Sequence, residues 1–188
     1  YDSLMQAPPA PYSVRPARHD EARVIAALFA ECDRAFGLEP ILLENDLLDD
    51  WRRPDVDLRR DTWFVESPHG ELVAYAGIWS EGTTLVSSGA VHPEHHGCGL
   101  GAYLVDRIEE GAELQPAWDG PRITLLNIIL PADHEARSLL TARRYVKART
   151  FQHMEVRLAT RSTRWPRPSR GCPTTPSGSS PRSCAPTL

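Results

Sequence analysis

The stretch Val91-His92-Pro93-Glu94-His95-His96-Gly97-Cys98-Gly99-Leu100-Gly101-Ala102 decides how the rest of the chain is read. Residues 83–91 before it are rich in Val, Ser and Thr and read as a strand. Residues 99–114 after it place Leu100, Leu104, Val105 and Ile108 on one helical face and Asp106, Arg107, Glu109, Glu110 and Glu113 on the other. Between them, glycines at 97, 99 and 101 let the backbone approach a ligand closely and turn its N–H groups outward. The helix that starts there adds its positive dipole end, so the segment predicts an anion cradle, most naturally for phosphate. A glycine-rich turn that merely permits tight packing is the plainer alternative. A nucleotide P-loop is excluded because no Gly-Lys-Ser/Thr follows, and a dinucleotide fingerprint fits poorly because the spacing is Gly-x-Gly-x-Gly.

Working outward, residues 11–17 read as a short edge strand limited by Pro16. Asp20 reads as an N-cap for a helix in which Ala22, Ile25, Leu28, Phe29, Cys32 and Phe36 recur at helical spacing and Gly37 supplies the stop. Residues 41–51 predict a second helix, ended by Pro54. Residues 62–67, 71–79 and 83–91 form an antiparallel meander separated by Pro68-His69-Gly70 and Glu81-Gly82. Downstream, 123–130 is apolar on both pleats apart from Thr124 and Asn127, as a central strand would be. Asp133 caps a helix through Ala136, Leu139 and Leu140 to about Arg143, and 145–146 and 150–158 close as strands. The expected fold class is α/β (α+β): a mixed, mostly antiparallel central sheet with helices on both faces. No internal repeat is visible.

With 188 residues, 41% of them hydrophobic, and a formal charge of −4, the chain has an ordinary globular composition sufficient for one domain. Its longest apolar runs are strand-sized, far below the ~20 residues that cross a bilayer. The first residues show no basic region followed by an apolar core, so no secretory signal is read and a cytoplasmic location is expected. Cys32, Cys98, Cys172 and Cys184 are widely spaced without a C-x-x-C pair and read as reduced thiols. The expected organisation is a flexible 1–11, one domain over 12–158 and a disordered Arg/Pro/Ser/Thr-rich tail over 159–188. That tail holds five arginines and no acid, so the remainder carries −9 and repels nucleic acid. Lys147 is the single lysine among 21 basic residues; GC-rich DNA read out of frame gives such a composition, and a frameshift or truncation scar is one reading of the tail.

Val91-x-Pro93, the Gly-x-Gly-x-Gly turn and the following helix together resemble the acetyl-CoA-binding motif of the GNAT superfamily of N-acetyltransferases. A second match comes from Asn127, Ala136, Leu139, Leu140, Arg144 and Tyr145, which occupy the places of that family's following strand and helix. The resemblance covers about residues 12–158. It implies that Ala90 and Val91 pair through their backbones with the pantetheine arm of acetyl-CoA. It also implies that amides of Gly97, Cys98, Gly99, Leu100, Gly101 and Ala102 hold the pyrophosphate, with His96 and Asn127 at the same site. Arg137 and Arg143 would meet the adenosine-side phosphate. Three positions depart from the family pattern: His96 stands for Gln or Arg, Leu140 for a tyrosine that protonates the departing thiolate, and Arg144 for glycine.

The function implied is direct transfer of an acetyl group from acetyl-CoA, as co-substrate, to an amine. The alternative is a catalytically inactive acyl-CoA-binding domain, serving as a sensor or as half of a tandem GNAT protein. Catalytic residues stay unassigned: Glu66, Glu94 and His92 are base candidates, Tyr103 and Ser138 thiolate donors, and a backbone N–H near Val91 the oxyanion donor. Cys98 reads as a filler of the turn rather than an acyl carrier. No metal is expected, because no carboxylate or cysteine pattern completes the cluster of His92, His95 and His96. The expected partner is a small-molecule or protein amine, without nucleic acid or membrane; a homodimer is an allowed assembly. Acceptor specificity is assigned to the first two helices and their loop, with Trp51, Arg52, Arg53, Arg59 and Arg60, and to the strands around Trp79.

Overall fold

The architecture comes from a computed structural model that describes residues 7–82, 84–115 and 124–150. The chain divides into one compact unit through Lys147 and a second from Ala148, of which only 148–150 are described. The expected strand over 150–158 and the tail over 159–188 lie outside the described residues.

In chain order the first unit contains β1 (Ser13–Arg15), α1 (Ala22–Ala35), α2 (Glu44–Trp51), α3 (Leu58–Asp61), β2 (Thr62–Glu66), β3 (Leu72–Glu81), β4 (Thr84–Val91), α4 (Leu100–Glu113), β5 (Thr124–Ile128) and α5 (His134–Ala142). Short 3-10 turns at His19–Glu21 and Pro93–His95 precede α1 and α4. The sheet order is β1-β2-β3-β4-β5, antiparallel except for the parallel pair of β4 and β5. The long β4–α4–β5 connection supplies that parallel pair; short turns join β2 to β3 and β3 to β4, while β1 reaches β2 through α1, α2 and α3.

Alternation along the strands sorts the core into two layers. Trp63 and Val65 of β2 and Ala74, Ala76 and Ile78 of β3 face Leu100, Tyr103, Leu104 and Ile108 of α4. Phe64 and Tyr75 point the other way, into Ala22, Ile25 and Leu28 of α1 and Leu47 and Trp51 of α2. Helices therefore cover both faces of a mixed, mostly antiparallel sheet, as the hydrophobic periodicity predicts.

The differences are local. Helix α2 starts at Glu44 rather than 41, because Leu43 is extended and its N–H binds the Asp46 carboxylate at 2.9 Å, a cap that fixes the start. The four-residue α3 was not anticipated, although Asp57 caps it by accepting from Arg59 N–H at 3.0 Å. Strand β5 ends at Ile128 rather than 130, with Ile128 half exposed, and the further strand that would make it central lies outside the described residues. Residues 145–146 are not a strand: Arg144 bends the chain with φ 67° and Val146 is exposed.

That bend is the C-terminal stop of α5, closed by Arg144 N–H to Thr141 O and Tyr145 N–H to Leu140 O, both 3.0 Å. The helix exit is thus built in the left-handed way that suits glycine, with arginine bearing the strain. Left-handed backbone costs a non-glycine residue ~1–2 kcal/mol, against ~0.5–1 kcal/mol of extra chain entropy for glycine. Arg144→Gly should therefore raise unfolding stability by about 0.5–1 kcal/mol, read as a higher midpoint in urea at unchanged slope.

Candidate functional site

Strand β4 stays paired with β3 to its last residue, Ala74 opposite Val91, whereas β5 releases it at Ser88 opposite Ile128. Three residues, Gly89, Ala90 and Val91, consequently line an open gap in the sheet. The release has a local cause. Pro131 cannot donate to a ladder, and Asp133 N–H turns back to Leu130 O at 3.1 Å, leading the chain away into α5.

His92 N–H bonds to Val73 O at 2.8 Å, so by alternation the Ala90 main-chain groups face β3 and those of Gly89 and Val91 face the gap. The Val91 carbonyl accepts from the Cys32 thiol at 3.3 Å and from His96 Nε2–H at 3.0 Å. Its N–H is left facing the opening. Just before the gap, Asn127 of β5 stands opposite Ser87 and accepts its hydroxyl at 2.7 Å through Oδ1, with the Tyr145 phenol beside the same amide. Nearby, burial and then the Glu109 carboxylate push the Tyr145 phenol up, so it stays protonated.

Beyond Val91 the chain makes a 3-10 turn and enters the glycine loop, where Gly97 and Gly99 take φ 74° and 82°. Gly99 is the N-cap of α4 but offers no side-chain cap, and the first turn carries no acid. None of the six N–H groups from Gly97 to Ala102 is hydrogen-bonded among the described residues; the first to find an acceptor is Tyr103, on Gly99 O at 3.0 Å. An uncapped, outward-facing N-terminus of this kind is built to receive an anion. Leu100, 1% exposed, anchors the loop in the core. A Cβ on Gly101 would lie 3.5 Å from Leu139 of α5, so α5 crosses here.

Other candidates sit elsewhere or are already engaged. Arg143 ion-pairs with Asp106 of α4 and reaches Ala102 O at 3.2 Å, and Arg137 binds Pro131 O at 2.7 Å; both serve the packing of α5 rather than standing free for phosphate. Glu66 is held by Arg15 at 2.8 Å at the sheet edge. Glu94 is exposed on the 3-10 turn, and Ser138 bonds back to His134 O at 2.7 Å. Tyr103 is buried in the α4 core layer with the Arg107 guanidinium 5.4 Å from its ring centre. Leu140 is buried at 8% exposure. Three of the four arginines assigned to specificity are ion-paired: Arg52 with Asp49 at 2.6 Å, Arg60 with Asp61 at 2.7 Å, and Arg53 with Asp50 at 3.6 Å.

Three residues at the gap went unread in the sequence. Glu31 Oε2 lies 2.9 Å from His92 Nε2, Cys32 donates to Val91, and the Tyr12 hydroxyl lies 2.9 Å from His95 Nδ1. Cys32 was legible only as one apolar position of α1. Burial, reinforced by Asp33 and Glu31, pushes its thiol up to about 11. The thiolate is the reactive form, so iodoacetamide at pH 8 should label exposed Cys98 at least about 100-fold faster than Cys32, read by peptide mass mapping. The native state also keeps a Cys32 proton that the unfolded chain gives up, so this contribution to stability is intact below the ordinary thiol range and is lost as pH climbs toward 11.

A cavity of about 310 Å³ adjoins the gap, between Phe36 after α1, Pro93, His96 and the start of α5. A larger one, about 670 Å³, lies beside Trp51, His19 and Leu58, at the end of the sheet away from Val91. Among the described residues no group of three His, Cys, Asp or Glu side chains is arranged to hold a metal, and no helix is long and apolar enough to cross a membrane.

Known structures share this fold. A GCN5-related N-acetyltransferase from Sphaerobacter thermophilus is 30% identical with a TM-score of 0.60; the match covers 73% of this chain but 44% of that one, so this chain spans less than half of its length. The GNAT domain of S. lividans PAT is 18% identical with a TM-score of 0.53, covering 75% of this chain and 85% of that one. The yncA protein of Salmonella typhimurium, solved with its cofactor acetyl-CoA, is 18% identical with a TM-score of 0.52 over 70% of this chain and 78% of its own. The latter two likenesses concern the fold. No curated protein sequence matches the chain. Residues 24–141, which run from α1 through the gap and the glycine loop into α5, match the acetyltransferase (GNAT) family, and the chain belongs to that family.

Proposed function

We propose that the protein is an N-acetyltransferase that moves an acetyl group from acetyl-CoA directly to an amine. The observation that carries this reading is the conjunction of a sheet opened at Val91 with six unbonded amides at the start of α4. The two features suit the two halves of one elongated ligand. The amides from Gly97 to Ala102 would hold the pyrophosphate, and the gap-facing groups of Gly89 would pair with the amide-bearing arm as an added strand does, leaving the Val91 N–H for the thioester oxygen. The net negative charge of the chain does not oppose an anionic ligand here, since fixed amides and a helix terminus act locally.

When bound, acetyl-CoA supplies an acyl group activated as a thioester. The chain's own part is to hold that ligand, to aim the Val91 N–H at the oxygen where negative charge develops, and to exclude water with α1. Thermal unfolding with and without acetyl-CoA, followed by thiol release against a panel of amines, tests the reading. A dose-dependent rise in Tm together with turnover of an amine is expected; a folded protein whose Tm ignores acetyl-CoA would overturn it.

Leu140 favours one second reading. A buried leucine brings no hydroxyl to protonate a leaving thiolate, which suits an acyl-CoA-binding domain without transfer. A Tm shift with no turnover on any amine would favour that reading.

A further inference from the structure

Resting on the acetyltransferase reading, we propose that Glu31, oriented by His92, is the general base for the acceptor amine, which therefore enters as an ammonium ion. Side chains at the end of β4 alternate between the two faces: Val91 packs with the α4 layer and Ala90 with the α1 layer. The next residue, His92, follows Ala90 onto the α1 face, where it meets Glu31. The phosphate cradle lies at the start of α4, on the other face. An amine approaching the gap opposite the cradle meets Glu31 and His92.

The hydrogen bonds assign the roles. His92 Nδ1 accepts the Glu94 N–H at 3.2 Å, so its proton sits on Nε2, which donates to Glu31 Oε2 at 2.9 Å. Both ring nitrogens are occupied, and the imidazole has no lone pair left for substrate. The carboxylate has a second oxygen, and the Glu31 side chain is 50% exposed, so that oxygen is open to a ligand. The neighbouring Cys32 is bonded to Val91 O, which pins α1 with Glu31 beside the gap. His92 is thus a positioning residue and Glu31 the catalytic one. The titratable and charged groups around the pair are Cys32 and Asp33 on α1, Glu94 and His95 on the 3-10 turn, His96 after it, and Asp133 before α5. Tyr12 engages His95 from the far side.

The step balances. The ammonium gives one proton to Glu31 Oε1, and the nitrogen lone pair then forms the C–N bond at the thioester carbonyl carbon. The C–S electron pair leaves on sulfur, which takes the second nitrogen proton to become the free thiol. Glu31 returns its proton to water, so an ammonium and a thioester yield an amide, a thiol and one proton.

The test compares the full chain with Glu31→Gln and His92→Ala, using phenethylamine, spermidine and lysine ethyl ester as acceptors. Glu31→Gln should lower kcat/KM at pH 7 by about 100-fold. Its residual rate should climb tenfold per pH unit up to the amine's own pKa, because only free amine reacts, whereas the wild-type profile levels off earlier. His92→Ala should lower kcat about tenfold and give a pH profile between those of wild type and Glu31→Gln. Without acetyl-CoA, each amine that is acetylated should shift a ¹³C carboxyl resonance of labelled wild-type protein that is missing in Glu31→Gln. Apo melting and the acetyl-CoA-induced Tm shift should be the same in Glu31→Gln as in wild type. Wild-type turnover with an unchanged rate and pH profile in Glu31→Gln would overturn this assignment alone. A wild-type protein that binds no acetyl-CoA, or acetylates none of the three amines, would overturn the acetyltransferase reading and this inference with it.

Discussion

Gly99→Val should reduce the affinity for acetyl-CoA by at least about 100-fold while leaving the apo protein folded. Gly99 holds φ 82°, a conformation that a β-branched residue occupies only at high cost, so valine must rotate the backbone back toward negative φ. Space is not the obstacle, since the nearest atom to an added Cβ is Pro9 Cγ at 3.5 Å. The rotation re-aims the peptides on either side, which carry N–H groups of the cradle, and it loosens the buried Leu100 anchor. A hydrogen bond to a charged partner contributes ~1.5–3 kcal/mol, and losing one or two of them reaches the stated factor. Gly70→Val is the matching control. Gly70 has φ 80° with open space around it, in the turn between β2 and β3. It should cost similar apo stability yet keep the full acetyl-CoA-induced Tm shift, measured by differential scanning fluorimetry. If both variants lose the shift equally, strain anywhere in the sheet explains the effect and the cradle does not.

Trp63→Ala should cost ~3–5 kcal/mol of unfolding stability, a large part of the ~5–15 kcal/mol typical of a domain. Trp63 is 5% exposed on β2 and packs under α4 at Gly111. A Cβ built on Gly111 would lie 2.7 Å from Trp63 Cη2 and 2.9 Å from Cζ2, so the indole fills a notch that only glycine leaves in the helix. Removing the indole opens a cavity that the rigid β2–β3 pairing cannot close. Gly111→Ala alone should also destabilise, by about 1–3 kcal/mol of overpacking less the better helix propensity of alanine. Combining the two should cost less than the sum of the single changes, because the new methyl occupies space the indole vacated. Urea midpoints of the four proteins measure this coupling; strict additivity would mean that the two residues do not meet as described.

The sequence carries the fold wherever local periodicity and burial agree. Ala22, Ile25 and Leu28 announce α1 because one face of a helix must be apolar to pack, and the continuous apolar run Trp63, Phe64 and Val65 announces a strand covered on both faces. The phosphate cradle is legible for a different reason: glycines at 97 and 99 state a backbone conformation directly. Pairings between distant residues are not legible. Nothing in the neighbourhood of Glu31 says that it meets His92, since that contact depends on how far α1 runs over the end of β4. The misplaced strand at 145–146 has the converse cause. Tyr and Val favour strands, but the backbone turn at Arg144 overrides that preference. The arginines near α2 read as a specificity feature because charge is visible in sequence and its ion-pair partners are not.

The six unbonded amides also bear on how this loop can drift under mutation. A binding surface made of main-chain N–H groups is indifferent to side-chain identity, so Cys98 and Ala102 can change without erasing it, provided the backbone path holds. The path is set by Gly97, Gly99 and the Leu100 anchor. In a saturation library scored for ligand-dependent survival, tolerance across 97–102 should alternate sharply: permissive at 98 and 102, closed at 97, 99 and 100. The departure at His96 belongs to the permissive class of change for the cradle itself, its ring having been redirected to Val91 O, and this is how a loop can lose its family's consensus letters while keeping the shape those letters encode.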